Sequence, residues 1–89
     1  MTALIDGTTI KTREELHDAL AEQLALPKYY GRTLDALYDC LTDIFEDTEL
    51  RIVRFDALNE HLGLYAEVLR DMLRNACAEN PRLHTVWED

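Results

Sequence analysis

At 89 residues with 47% hydrophobic content, the chain is long enough for one core without metals or disulfides and too apolar to remain disordered. Asp and Glu number 18 against 9 Lys and Arg, a formal charge of −9, so phosphate backbones and anionic membranes are poor partners and basic surfaces good ones. A single domain spanning residues 1–89 with a basic protein as its partner is the expectation from these totals.

Met1 leads into Thr-Ala-Leu-Ile-Asp-Gly without a basic start, a long apolar run or a cleavage pattern. Neither a signal peptide nor a membrane span is expected, and the product should stay in the cytoplasm. Thr2 to Asp6 reads as a short strand closed by the Asp6-Gly7 turn. Thr12-Arg13-Glu14-Glu15 is a capping box, and Leu16, Ala19, Leu20 and Leu24 form the apolar stripe of a first helix that stops before Pro27. His17 lies beside that stripe, a packed or surface residue sooner than a catalytic one.

Pro27 cannot continue a helix and pushes Leu26 towards an extended conformation, Gly31 supplies a turn position, and Thr33 suits the N-cap of a second helix. That helix is expected to run to about Phe45, with Leu34, Leu37, Leu41, Ile44 and Phe45 on one buried face. Residues 46–49 are a polar connection, and Leu50, Ile52, Val53 and Phe55 mark a second strand whose Arg51 and Arg54 face outward. Asp56 is placed to cap a short helix through Leu62, broken at Gly63. The longest helix covers residues 64–80, with Tyr65, Leu69, Met72 and Ala76 on one face, broadened by Val68, Leu73 and Cys77; Asn80-Pro81 ends it. Leu83, Thr85, Val86 and Trp87 make the last strand. Strands separated by helices imply a parallel sheet, so the predicted fold is a small two-layer α/β domain with three parallel strands and about four helices.

Catalytic signatures are scarce. There is no GxGxxG, Walker loop, nucleophile elbow, HExxH or CxxC, and the chain has no serine. Asp35 and Asp39 could form a general acid–base pair, but carboxylates on an exposed helix are solvated and suit binding better than proton transfer near neutral pH. His61 and His84 have no neighbouring cluster, and no metal or cofactor is expected. Cys40 and Cys77 lack metal-like or redox-like spacing; they are read as small core residues, with a disulfide as the lesser alternative.

The sharpest functional signal is a row of acids. Asp35, Asp39 and Asp43 stand four apart on one helical face, close enough to repel, and Asp43 sits near the end where the helix dipole disfavours it. On an acidic protein such a row is usually a solvated face. With Tyr29, Tyr30 and Tyr38 beside it, the patch instead combines aromatic anchors with acceptors suited to arginine, the make-up of a binding hot spot.

The stretch Leu26-Pro27-Lys28-Tyr29-Tyr30-Gly31-Arg32-Thr33-Leu34-Asp35-Ala36-Leu37-Tyr38-Asp39-Cys40-Leu41 closely resembles the barstar family, intracellular inhibitors of barnase-type secreted ribonucleases. Leu24, Ala25 and Thr42 extend the match, and Ile5-Asp6-Gly7, Ile10, Leu16-His17 and Leu20 fit it more weakly. The resemblance implies a barstar-like fold and inhibition by substrate mimicry. Asp39 matches the acid that occupies the place of the scissile phosphate, Asp35 a second acid, Tyr29 a ring packed on the enzyme's catalytic histidine, and Thr42 a peripheral contact. A carboxylate accepts bidentate arginine hydrogen bonds as a phosphate does. The partner surface so implied comprises Tyr29, Tyr30, Gly31, Thr33, Asp35, Tyr38, Asp39, Thr42, Asp43 and Ile44, with Asn75 and Glu79 from the long helix. Its rim departs from the family pattern: Tyr38 replaces a tryptophan, Asp43-Ile44 a Gly-Trp pair, Thr33 an asparagine, and Asn75 a glutamate. The target implied is a basic, guanyl-specific microbial ribonuclease bound by a monomer in a 1:1 complex. A different basic toxin, neutralised by an immunity protein that reuses the surface, is the alternative; no catalysis is implied.

Overall fold

The computed structural model describes residues 1–88. In chain order these form β1 (Thr2–Asp6), a single 3-10 turn (Gly7–Thr9), α1 (Arg13–Gln23), α2 (Leu34–Thr42), β2 (Thr48–Val53), α3 (Phe55–Leu62), α4 (Leu64–Glu79) and β3 (Leu83–Glu88). The strands pair in the order β1-β2-β3, both pairs parallel, as their separation by helices predicts. Register places Ala3, Leu50 and Thr85 side by side, then Ile5, Ile52 and Trp87. Strict alternation along β2 buries Thr48, Leu50 and Ile52 on the face that the helices cover, while Glu49, Arg51 and Val53 lie on the other. On that second face Arg51 donates to Glu88 at 2.8 Å and pairs with Glu49 at 3.5 Å. The result is a two-layer α/β structure, in which no helix of the described residues is long and apolar enough to cross a membrane.

Local chemistry sets the helix starts. Thr12 accepts from the Glu15 N–H at 3.1 Å, and Glu15 returns the favour one residue upstream of the usual position, accepting from the Lys11 N–H at 2.8 Å. Thr33 accepts from the Ala36 N–H at 3.0 Å and starts α2 in the same way. At the end of β1, Gly7 is buried where a Cβ would run into the Arg54 carbonyl, which explains the glycine after Asp6.

The core is built from Leu16, Leu20, Leu37, Leu41, Leu50, Ile52, Leu58, Leu69, Leu73 and Leu83, all nearly inaccessible to solvent. Four expectations are corrected here. Phe55 does not belong to β2: Arg54 turns into the left-handed region at φ 53°, so Phe55 opens α3 and packs edge-on against Trp87, ring centroids 5.2 Å apart. Asp56 does not cap that helix; it accepts two hydrogen bonds from Arg54, both 3.0 Å. α2 ends at Thr42, where the next two N–H groups reach back only three residues, so the periodicity does not carry Phe45 into the core. On α4 the fully buried face is Ala66, Leu69, Leu73 and Ala76, which leaves Val68 45% exposed.

Candidate functional site

The loop between α1 and α2 and the outer face of α2 carry most of the residues singled out by sequence. Tyr29 projects into solvent, 84% exposed. Asp35, Asp39 and Asp43 are all exposed, and none has an ion-pair partner among the described residues. Uncompensated acids four residues apart repel one another; the helix dipole favours Asp35 in the first turn of α2 and disfavours Asp43 at its C-cap. Tyr38 and Ile44 are half-buried, packed against the core, and Thr42 spends its hydroxyl on the Tyr38 carbonyl at 3.0 Å. Asn75 and Glu79 lie exposed on α4, the helix against which α2 packs.

Two members of the predicted surface are placed differently from the expectation. Tyr30 points inward, with only 8% of its area exposed, and its hydroxyl meets Nδ1 of His17. The other imidazole nitrogen meets the Tyr65 hydroxyl at 2.7 Å. In neutral histidine one ring nitrogen accepts and the other donates, so both tyrosine hydroxyls are satisfied at a single buried ring. Burial, with Arg32 nearby, holds the His17 pKa below its usual value, and burial pushes the Tyr30 and Tyr65 phenols up. Tyr30 therefore supports the loop from beneath. Gly31 is exposed, but the left-handed turn falls on Arg32, φ 58°. Its guanidinium donates to Asp18 at 2.6 Å and to the Glu14 carbonyl at 3.1 Å, which ties the loop to α1 and offsets a backbone cost of about 1–2 kcal/mol.

The far end of α2 is held by a residue that sequence reading treated only as a helix stop. Asn80 is 5% exposed; its amide donates to the Leu41 and Ile44 carbonyls, each at 2.9 Å, and its oxygen accepts from the Arg82 N–H at 3.0 Å. These bonds satisfy carbonyls left over at the end of α2 and fix the chain that follows it. Just beyond, Phe45 stands 87% exposed. A phenylalanine two residues past the acid row was the available signal, obscured by its agreement with the helical spacing. Cys40 is a free thiol on the same helix, pushed up in pKa by burial first and then by Asp39 and Asp43. Among the described residues no group of His, Cys, Asp and Glu has the arrangement to hold a metal ion.

The surface is thus an acidic, aromatic-edged face, with Thr33 capping one end of α2 and Asn80 holding the other. The family model for Barstar (barnase inhibitor) matches residues 1–87. The chain belongs to the barstar family. It is also 42% identical over 78 residues, 85% of each chain, to a protein of Bacillus subtilis (strain 168) called "Putative ribonuclease inhibitor YrdF". The match runs from β1 into β3, so the loop, α2 and α4 are all part of what it spans.

Proposed function

We propose that this barstar-family chain inhibits a basic, barnase-like microbial ribonuclease by blocking its active site with the loop and α2. The observation that carries the reading is the row Asp35, Asp39 and Asp43, exposed and unpaired beside Tyr29 on a helix anchored at both ends. Asp39, at its centre, stands in for the substrate phosphate and accepts from the arginine and histidine donors that would hold it. Asp35 and Glu79 meet further cations of the enzyme, Tyr29 and Tyr38 give flat apolar contact, and Thr33, Thr42, Asp43, Ile44 and Asn75 complete the rim with Gly31. Tyr30 acts through the loop that it braces. The inhibitor works in the cytoplasm as a monomer in a 1:1 complex, shielding cellular RNA. In this reading the acids serve as solvated acceptors for the enzyme's cations, and no bond is cleaved.

Mixing the protein with barnase and following RNA cleavage tests the reading. Stoichiometric inhibition that disappears in Asp39→Ala is expected. Full ribonuclease activity at molar excess of the wild type would reject barnase as target and move the search to other basic nucleases and toxins. Wild-type inhibition retained in Asp39→Ala would reject the phosphate-mimic mechanism.

A further inference from the structure

Tyr29 and Phe45 are the two aromatic residues that the fold leaves most in water, 84% and 87% exposed, and both line one groove of about 450 Å³. They reach it from separate segments, Tyr29 from the loop after α1 and Phe45 from the stretch after α2. Leaving a phenylalanine ring in water forgoes the favourable transfer of its apolar area out of solvent. Phe45 recovers none of that through a ring or cation contact with the described residues.

The groove's charge is one-sided. Asp39, Asp43 and Glu46 line it, with no Lys, Arg or His, over an apolar base that includes Leu24, Leu26 and Ile44. The other cleft beside α2, about 500 Å³, is different: Arg13 and Arg32 there balance Glu14 and Asp35. Only the first has the field for a cation together with aromatic faces and an apolar base. Its walls are also held in place. The Leu26 N–H donates to the Ala21 carbonyl and the Tyr30 N–H to the Pro27 carbonyl, both at 3.0 Å, while Asn80 fixes the carbonyls of Leu41 and Ile44. A preformed groove loses little freedom when it is filled.

We propose that this groove seats an arginine side chain of the partner protein, which makes Phe45 a specificity-determining residue of the inhibitor. The aliphatic stem lies on Leu26 and Ile44, the guanidinium face stacks on an aromatic ring, and its N–H groups donate to Asp43 and Glu46. Arginine fits better than lysine because its planar fork stacks and bonds two carboxylates at once, whereas an ammonium is a strongly hydrated point charge. The inference rests on the inhibitor reading only for the identity of the protein that carries the arginine.

Two measurements separate the occupant from the partner. N-acetyl-arginine amide, N-acetyl-lysine amide and N-acetyl-norleucine amide are titrated into the isotopically labelled protein at millimolar concentration and followed by amide chemical shifts. Saturable shifts at residues 24–29 and 43–46 with the arginine probe, weaker with lysine, absent with norleucine and abolished in a Phe45→Ala, Asp43→Asn double variant, are expected. Equal shifts with norleucine would make the groove an apolar seat and overturn the assignment, as would no saturable shift with arginine. Second, Phe45→Ala is titrated against barnase; the ring is exposed, so the fold survives its loss, and inhibition should weaken about tenfold. Unchanged inhibition would overturn the specificity role. If wild type fails to inhibit barnase while the arginine probe still binds, the target proposed above falls and the groove's occupant stands.

Discussion

Asp39, proposed above as the phosphate mimic, works against its own fold. With Asp35 and Asp43 one turn away on either side and no ion-pair partner for any of the three among the described residues, its charge destabilises α2 by a few tenths of a kcal/mol per pair. Asp39→Asn should therefore raise the denaturation midpoint slightly while lowering affinity for the ribonuclease by at least ~2 kcal/mol, the general loss for a desolvated charge pair missing one partner. Barstar with its own ribonuclease is among the cases behind that figure. Urea melts read against calorimetric titration would check both halves; equal losses of stability and affinity would show that Asp39 is structural. His17 makes the opposite kind of contribution. Burial between Tyr30 and Tyr65 first, and then the charge of Arg32 against the weaker opposing effect of Asp18, lowers its pKa below the unfolded value of about 6.5. Between those two pKa values the unfolded chain binds more protons than the native one, so stability rises with pH there. The contribution is complete above about pH 6.5 and is lost as pH falls from there through the folded pKa. A His17→Gln variant should be less stable than wild type at pH 7.5, with the gap narrowing towards pH 5. Guanidinium melts across that range measure the difference, and a constant gap would remove the imidazole as its cause.

At the scale of elements, α2 shows what sequence could and could not disclose. Thr33, Leu37, Leu41 and the acid row were legible because a cap, a 3.6-residue stripe and repeated charge are properties of neighbours in sequence, and all three sit on the helix as read. The parallel sheet was legible from the order of its elements. The end of α2 was not, because its determinants are distant: Asn80, thirty-nine residues from Leu41, supplies the donors that close it. Phe45 fitted the apolar spacing and was assigned inward, yet the helix stops before spacing can apply. Phe55 extended the β2 pattern in the same misleading way, until Arg54 broke the strand. Tyr30 looked like its neighbour Tyr29, and only the fold brings His17 and Tyr65 to its hydroxyl side. Since Asn80 joins α4 to α2, Asn80→Ala should remove the donor from the Ile44 carbonyl, leave the Leu41 carbonyl only the Ile44 N–H at 3.4 Å, and cost about 2 kcal/mol of stability. Hydrogen exchange should rise most at residues 41–46. Uniform acceleration through the molecule, with those amides no faster than the rest, would show that the asparagine does not specifically hold the end of α2.

For the molecule as a whole, the charge of −9 matters through where compensation occurs. Among the described residues, five arginines pair with acids outside α2: Arg32 with Asp18, Arg51 with Glu88, Arg54 with Asp56, Arg74 with Asp71, and Arg82 with Asp47. These exposed pairs add little stability, but they quieten the surface around the site and leave Asp35, Asp39 and Asp43 as unpaired sources of negative field. On the reading proposed above, a basic enzyme would be drawn to that face, which the loop and α2 present preformed. Association should therefore be fast and salt-sensitive, slowing by about tenfold or more when salt shortens the screening length from ~30 Å to ~3 Å. Dissociation, which the two proposals assign to desolvated contacts at Asp39 and to the groove at Phe45, should change far less. Stopped-flow association and surface-based dissociation measured over a salt series separate the two. Phe45→Ala supplies the complementary case, because removing an uncharged ring leaves the long-range field intact and should raise the dissociation rate with the association rate nearly unchanged. If salt instead accelerated dissociation and left association alone, the unpaired acids would act only after contact, and the placement of ion pairs away from α2 would carry no kinetic consequence.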